Sequence, residues 1–154
     1  MQCAGSGVLV HLAAGIGNIV LATPLLVALE ELGFVVDVWL AADYPQTAEL
    51  LRPWSAIREV FVASASPRFD PYTHILAATP PFYWRRFAPK FSGVKNLLRR
   101  PPDSLFYQDE QAFYLSFART LGLPAERHLF YTLPIAPADR FGVTPSTVVL
   151  APGC

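Results

Sequence analysis

The residues of this 154-residue chain best suited to chemistry begin at His11 and run through Gly15, Ile16, Gly17 and Asn18. Glycines in such a turn let backbone N–H groups and a helix start approach an anion or a developing negative charge. The pattern is Gly-x-Gly-x-x-Val, with Val20 where a dinucleotide-binding turn carries a third glycine, so the spacing alone is a weak signal. His11 has an ordinary pKa suited to base work, and its competing reading is a buried histidine hydrogen-bonded within a sheet. Asn18 has no useful basicity, so it orients a hydroxyl or caps a helix. Asp43 is placed either to read a ribose or to cap the helix that Pro45 opens.

A second concentration of chemistry lies in residues 82–100, where Phe82, Tyr83, Trp84, Phe87 and Phe91 interleave with Arg85, Arg86, Lys90, Lys95, Arg99 and Arg100. Such a face could hold the phosphates and sugars of a lipid-linked acceptor, lie on an anionic membrane surface, or bind single-stranded nucleic acid. The bland alternative is a loop and helix whose aromatics fill the core beneath basic side chains. Nucleic acid is disfavoured, because the chain balances 12 Lys+Arg against 12 Asp+Glu and no nucleic-acid motif accompanies the patch. The charges are nevertheless segregated: no acid lies between Asp70 and Asp103, so an anion-binding face is expected from the second half. His74 and His128 stand isolated, and Cys3 and Cys154 sit at the two ends, so no metal site is expected and a reducing compartment is the simplest setting.

The elements that must position these residues follow from apolar patterning. Hydrophobic residues make up 53% of the chain, enough to bury a core without disulfides. Residues 8–12 read as a strand, 13–17 as a small-residue loop, and 19–32 as an apolar helix. That helix starts either at Asn18, with Pro24 kinking it, or at Thr23 with Pro24 in its first turn. Gly33 stops it, and 34–41 reads as a buried strand broken only by Asp37. A helical segment at 45–51 and strands at 57–63 and 72–79 follow. Residues 106–121 place Phe106, Phe113, Phe117 and Leu121 at helical spacing before Gly122. Strands alternating with helices predict an α/β fold, a Rossmann-like parallel sheet with helices on both faces. No charge precedes Glu30, yet the N-terminal stretch is too interrupted for a membrane span and lacks the positive region of a signal peptide. Residues 129–135 read as a further strand, 136–146 as a proline-rich linker, and 147–154 as a strand opening a second domain that is then cut, or else as an edge strand of the first sheet.

The run VLVHLAAGIGNIVLATPLL, residues 8–26, resembles the opening of glycosyltransferase family 9, the heptosyltransferase-like enzymes. QAFYLSFARTLGL, residues 111–123, resembles that family's late helix, and VVLAPG, residues 148–153, resembles the strand opening its second domain. The resemblance implies the N-terminal half of a GT-B fold, with residues 1–135 as the acceptor-side domain. It implies an inverting, metal-independent transferase taking sugar from a nucleotide-sugar donor to a lipopolysaccharide-type or other glycan acceptor. No bound cofactor is implied, and the nucleotide sugar belongs to the missing C-terminal domain, so this chain alone is expected to be inactive. The implied setting is cytoplasmic, peripheral at the inner face of the plasma membrane. Asn18 stands where the family carries its catalytic aspartate, and His11 stands where it often carries arginine. Gly15, Ile16, Gly17, Arg85, Arg86 and Lys90 are the expected substrate-binding residues. The alternative is a single-domain nucleotide or dinucleotide-binding module using Gly15, Gly17 and Asp43, and a further one is a non-catalytic membrane-surface domain built on residues 84–100.

Overall fold

The computed structural model describes residues 7–99, 109–127 and 129, without the side chains of residues 81–83. A five-stranded sheet orders its strands β3-β2-β1-β4-β5, all parallel. The strands are β1 (Gly7–Leu12), β2 (Val35–Leu40), β3 (Ile57–Phe61), β4 (His74–Ala78) and β5 (Leu97–Leu98). Helices α1 (Ile16–Glu31), α2 (Pro45–Leu51), α3 (Pro81–Phe87) and α4 (Glu110–Thr120) flank them, with a short 3-10 helix at Ala88–Phe91. This is the α/β, Rossmann-like architecture the patterning predicts. The order of strands reverses between β1 and β4, which is where such sheets open a crevice at their carboxyl ends.

Burial on both faces explains why β1 and β2 read as continuous apolar runs. Val8, Val10, Leu12, Val36, Val38, Leu40 and Leu76 pack on one face against Leu25, Leu26 and Leu29 of α1 and Phe113 and Phe117 of α4. Leu9, Trp39 and Ile75 point to the other face, where Phe87 and Phe91 cover them. Asp37, the polar break in β2, is 1% exposed and engages the Arg58 guanidinium through both oxygens. The Tyr72 hydroxyl also donates to it at 2.7 Å, so a charge that burial would penalise is matched on every side.

Helix α1 settles the Pro24 question differently from either expected start. It begins at Ile16, with Gly15 as its cap residue, and continues through Pro24. Proline cannot donate the N–H that would reach the carbonyl four residues back, which is Val20. The Thr23 hydroxyl donates to that same carbonyl at 2.7 Å, so the Thr-Pro step supplies its own replacement bond. Asn18 therefore lies inside the first turn and caps nothing. At the other end Gly33, at φ +79°, closes the helix by donating to Glu30 while Phe34 N–H reaches Leu29. Among the described residues no helix is long and apolar enough to cross a membrane. The expected linker at 136–146, the strand at 147–154, nearly all of the strand at 129–135, and Cys3, Cys154, Arg100 and His128 lie outside the described residues.

Candidate functional site

Parallel register sets Leu12 beside Leu40 and Ala78, so the chain leaves β1, β2 and β4 at one edge of the sheet. The loop after β1 is pinned there. Ala41 N–H donates to Leu12 O at 2.8 Å, and the buried Thr47 hydroxyl of α2 donates to Ala14 O at 2.7 Å. A cleft of about 270 Å³ opens above it, lined by Ala13, Ala14, Gly15, Asn18, Ala42 and Tyr44 together with Arg86 from α3. An adjoining hollow of about 350 Å³ shares Ala14, Gly15 and Tyr44 and adds Ile16, Gln46 and Thr47. Gly15, Asn18 and Arg86, expected from sequence on separate grounds, thus meet in one place at the topological switch point.

Neither loop glycine is demanded by the fold. A Cβ on Gly17 would meet nothing within 4 Å, and one on Gly15 would stand 3.2 Å from Asn18 Nδ2, a side-chain end that can move. Neither has a positive φ. Gly15 therefore keeps the backbone bare at the cleft rather than relieving a packing constraint of the chain itself. No side chain caps the first turn of α1, and that turn holds no acid, which leaves its N–H groups and positive end toward the opening.

His11 is not brought to this cleft. It is 0% exposed on the opposite side of β1, with ring centroids 4.5 Å from Trp39, 4.7 Å from Phe87 and 5.5 Å from Phe91. Its Nδ1 lies 3.0 Å from Trp39 O, and because a carbonyl only accepts, Nδ1 carries the proton. Nε2 has no partner among the described residues. Burial, aided by the Lys90 ammonium and opposed by the Trp39 bond, lowers its pKa from 6.5 to about 4. The ring is a neutral core residue, as its sheet position allows, and the expectation of His11 as a base is corrected accordingly.

The cationic residues divide. Arg86 reaches the cleft, whereas the exposed Arg85 lines neither hollow. Lys90 sits with its ammonium 4.9 Å from the Trp39 ring and 5.6 Å from Phe87, covering the buried aromatics as the bland reading held. Arg99 covers Trp84 at 4.5 Å, and Trp84 in turn stacks on Phe91. Asp43 does not cap α2, whose cap residue is Tyr44, and its carboxylate is exposed just beyond the end of β2. Its Oδ1 accepts from both the N–H and the hydroxyl of Ser64, tying the end of β2 to the loop after β3, and those bonds hold its pKa below the ordinary value. Tyr44, Gln46 and Thr47 went unnoticed in the sequence. Their signal was positional, immediately beyond the carboxyl end of a strand adjacent to β1.

A depression of about 430 Å³ elsewhere is lined by Asp70, Ser92, Gly93 and Lys95, but it lies at the amino ends of β4 and β5, away from the switch point. Among the described residues no three His, Cys, Asp or Glu side chains gather as metal ligands would. Comparison with protein-family models, curated proteins and solved structures finds no match to this chain.

Proposed function

We propose that this domain is the acceptor-binding half of an inverting, metal-independent GT-B glycosyltransferase resembling family 9. The observation that carries the reading is the meeting of Gly15, Asn18 and Arg86 in one cleft beyond the carboxyl end of β1. Gly15 and Arg86 are expected substrate-binding residues, and Asn18 stands where the resembled family carries its catalytic aspartate. The cleft offers a bare backbone, a carboxamide that both donates and accepts, and a guanidinium, which together suit hydroxyl and phosphate groups of a glycan. Among the described residues its lining side chains include no carboxylate or imidazole, and transfer needs a base to take the acceptor proton. On this reading the chain by itself binds acceptor without transferring sugar, and Asn18 orients a hydroxyl where the resembled family's aspartate would take its proton.

Arg85, Arg86, Lys90, Lys95 and Arg99 join no ion pair among the described residues. The Arg86 guanidinium at the cleft favours an acceptor that carries an anionic group. Titration with phosphorylated core oligosaccharide, NAD and ADP separates the readings. The glycan should bind, with about tenfold loss in Arg86→Ala for one charge-assisted bond. Saturable binding of NAD with no response to glycan would replace this proposal with the nucleotide module, and sugar transfer by the chain alone would refute its binding-only role.

A further inference from the structure

Ile16 and Tyr44 are the large apolar side chains left most exposed among the described residues, at 56% and 54%. Singly, an exposed apolar residue means little, but these two face one hollow from different elements, the first turn of α1 and the residue before α2. Gln46 adds a carboxamide to the same wall, and Ala14, Gly15 and Tyr44 continue it into the cleft that holds Asn18 and Arg86. The two adjoining hollows together present an aromatic and an aliphatic side chain, the carboxamides of Gln46 and Asn18, and the Arg86 guanidinium.

We propose that Tyr44 and Ile16 form a stacking subsite for the C–H face of a pyranose ring, with Gln46 and Asn18 bonding its peripheral hydroxyls and Arg86 meeting an anionic substituent. This rests on the acceptor-binding reading and adds to it the residues that select a sugar ring. A pyranose presents an apolar face of ring C–H groups bordered by hydroxyls that each donate and accept. Neutral carboxamides match that border, since each offers both a donor and an acceptor group. Charge complementarity fixes the orientation: Arg86 comes from the acid-free stretch after Asp70, so the charged substituent lies toward α3 and the ring toward α2.

The test uses the full chain with methyl glucopyranoside, methyl mannopyranoside and glucose 6-phosphate as probes and AMP as the nucleobase control, read by saturation-transfer NMR. The wild type should saturate the ring C–H protons of one sugar face most strongly. Tyr44→Ala should weaken binding about three- to tenfold, while Tyr44→Phe, which retains the ring, should bind as the wild type does. Exposure of Tyr44 predicts that both variants keep the wild-type melting temperature. Pyranoside binding unchanged in Tyr44→Ala would overturn the subsite and leave the acceptor reading standing. No pyranoside signal from the wild type would overturn both, and AMP saturating through its base at Tyr44 would assign the platform to a nucleobase instead.

Discussion

Acidification isolates the energetic contribution of one side chain, His11. Its imidazole titrates near 6.5 when unfolded and near 4 in the fold, because the proton would have to enter an aromatic cage beneath the Lys90 ammonium. A lowered histidine pKa means that the unfolded chain binds the extra proton first. His11 therefore costs no stability above pH 6.5, erodes it as pH falls toward 4, and costs nothing further below that. The slope between the two values is about 1.4 kcal/mol per pH unit, giving a loss of about 1.4 kcal/mol at pH 5.5 and about 3 kcal/mol at pH 4. Urea denaturation of the wild type and His11→Phe across pH 4–7.5 reads this directly. The variant forfeits the Trp39 bond, about 1 kcal/mol at every pH, but lacks the histidine slope, so the two stability curves converge and then cross on acidification. Parallel curves, or an NMR titration placing the His11 imidazole near 6.5, would refute the argument.

Other consequences are independent of it. Thr23→Val keeps the shape of the side chain but strands the Val20 carbonyl beside Pro24, and thermal or urea unfolding should show a loss of about 1–2 kcal/mol. Asp37→Ala leaves the buried Tyr72 hydroxyl without its acceptor and frees a half-exposed Arg58, and should cost about 1–3 kcal/mol by denaturant unfolding, whereas Tyr72→Phe should cost only about 1 kcal/mol. Gly17→Ala meets no neighbour inside a helix and should stabilise the chain by about 0.5–1 kcal/mol, raising the melting temperature.

The sheet was legible because its central strands carry largely apolar runs between punctuating residues, so that residues 8–12 grow only to Gly7–Leu12, and helix α2 matches its expected bounds because Pro45 marks its start. The start of α1 was misjudged for a physical reason. Apolar side chains pack against both the sheet and α4, so no amphipathic edge marks where the helix begins, and the glycine that ends the loop is itself the cap. The strand β5 escaped notice because two residues carry no pattern, and α3 was hidden among basic residues whose aromatic neighbours turn inward. Site residues were legible where backbone chemistry marked them, at Gly15 and Asn18. Which face His11 takes, and that Arg86 rather than Arg85 reaches the loop, depend on strand parity and helix phase across distant segments. Tyr44 carries no motif at all, and only the adjacency of β1 and β2 gives it a place in the cleft.

The proposed role of the loop after β1, with Asn18 and Arg86, is to receive a glycan. A titration of the isotopically labelled chain with phosphorylated core oligosaccharide, followed by two-dimensional amide NMR, tests it most directly. Shifts should concentrate at Gly15, Asn18, Ala42, Tyr44 and Arg86, with no comparable response to NAD or ADP. Shifts at those amides from NAD alone, or glycan-induced shifts confined to the distant depression around Asp70 and Lys95, would contradict it.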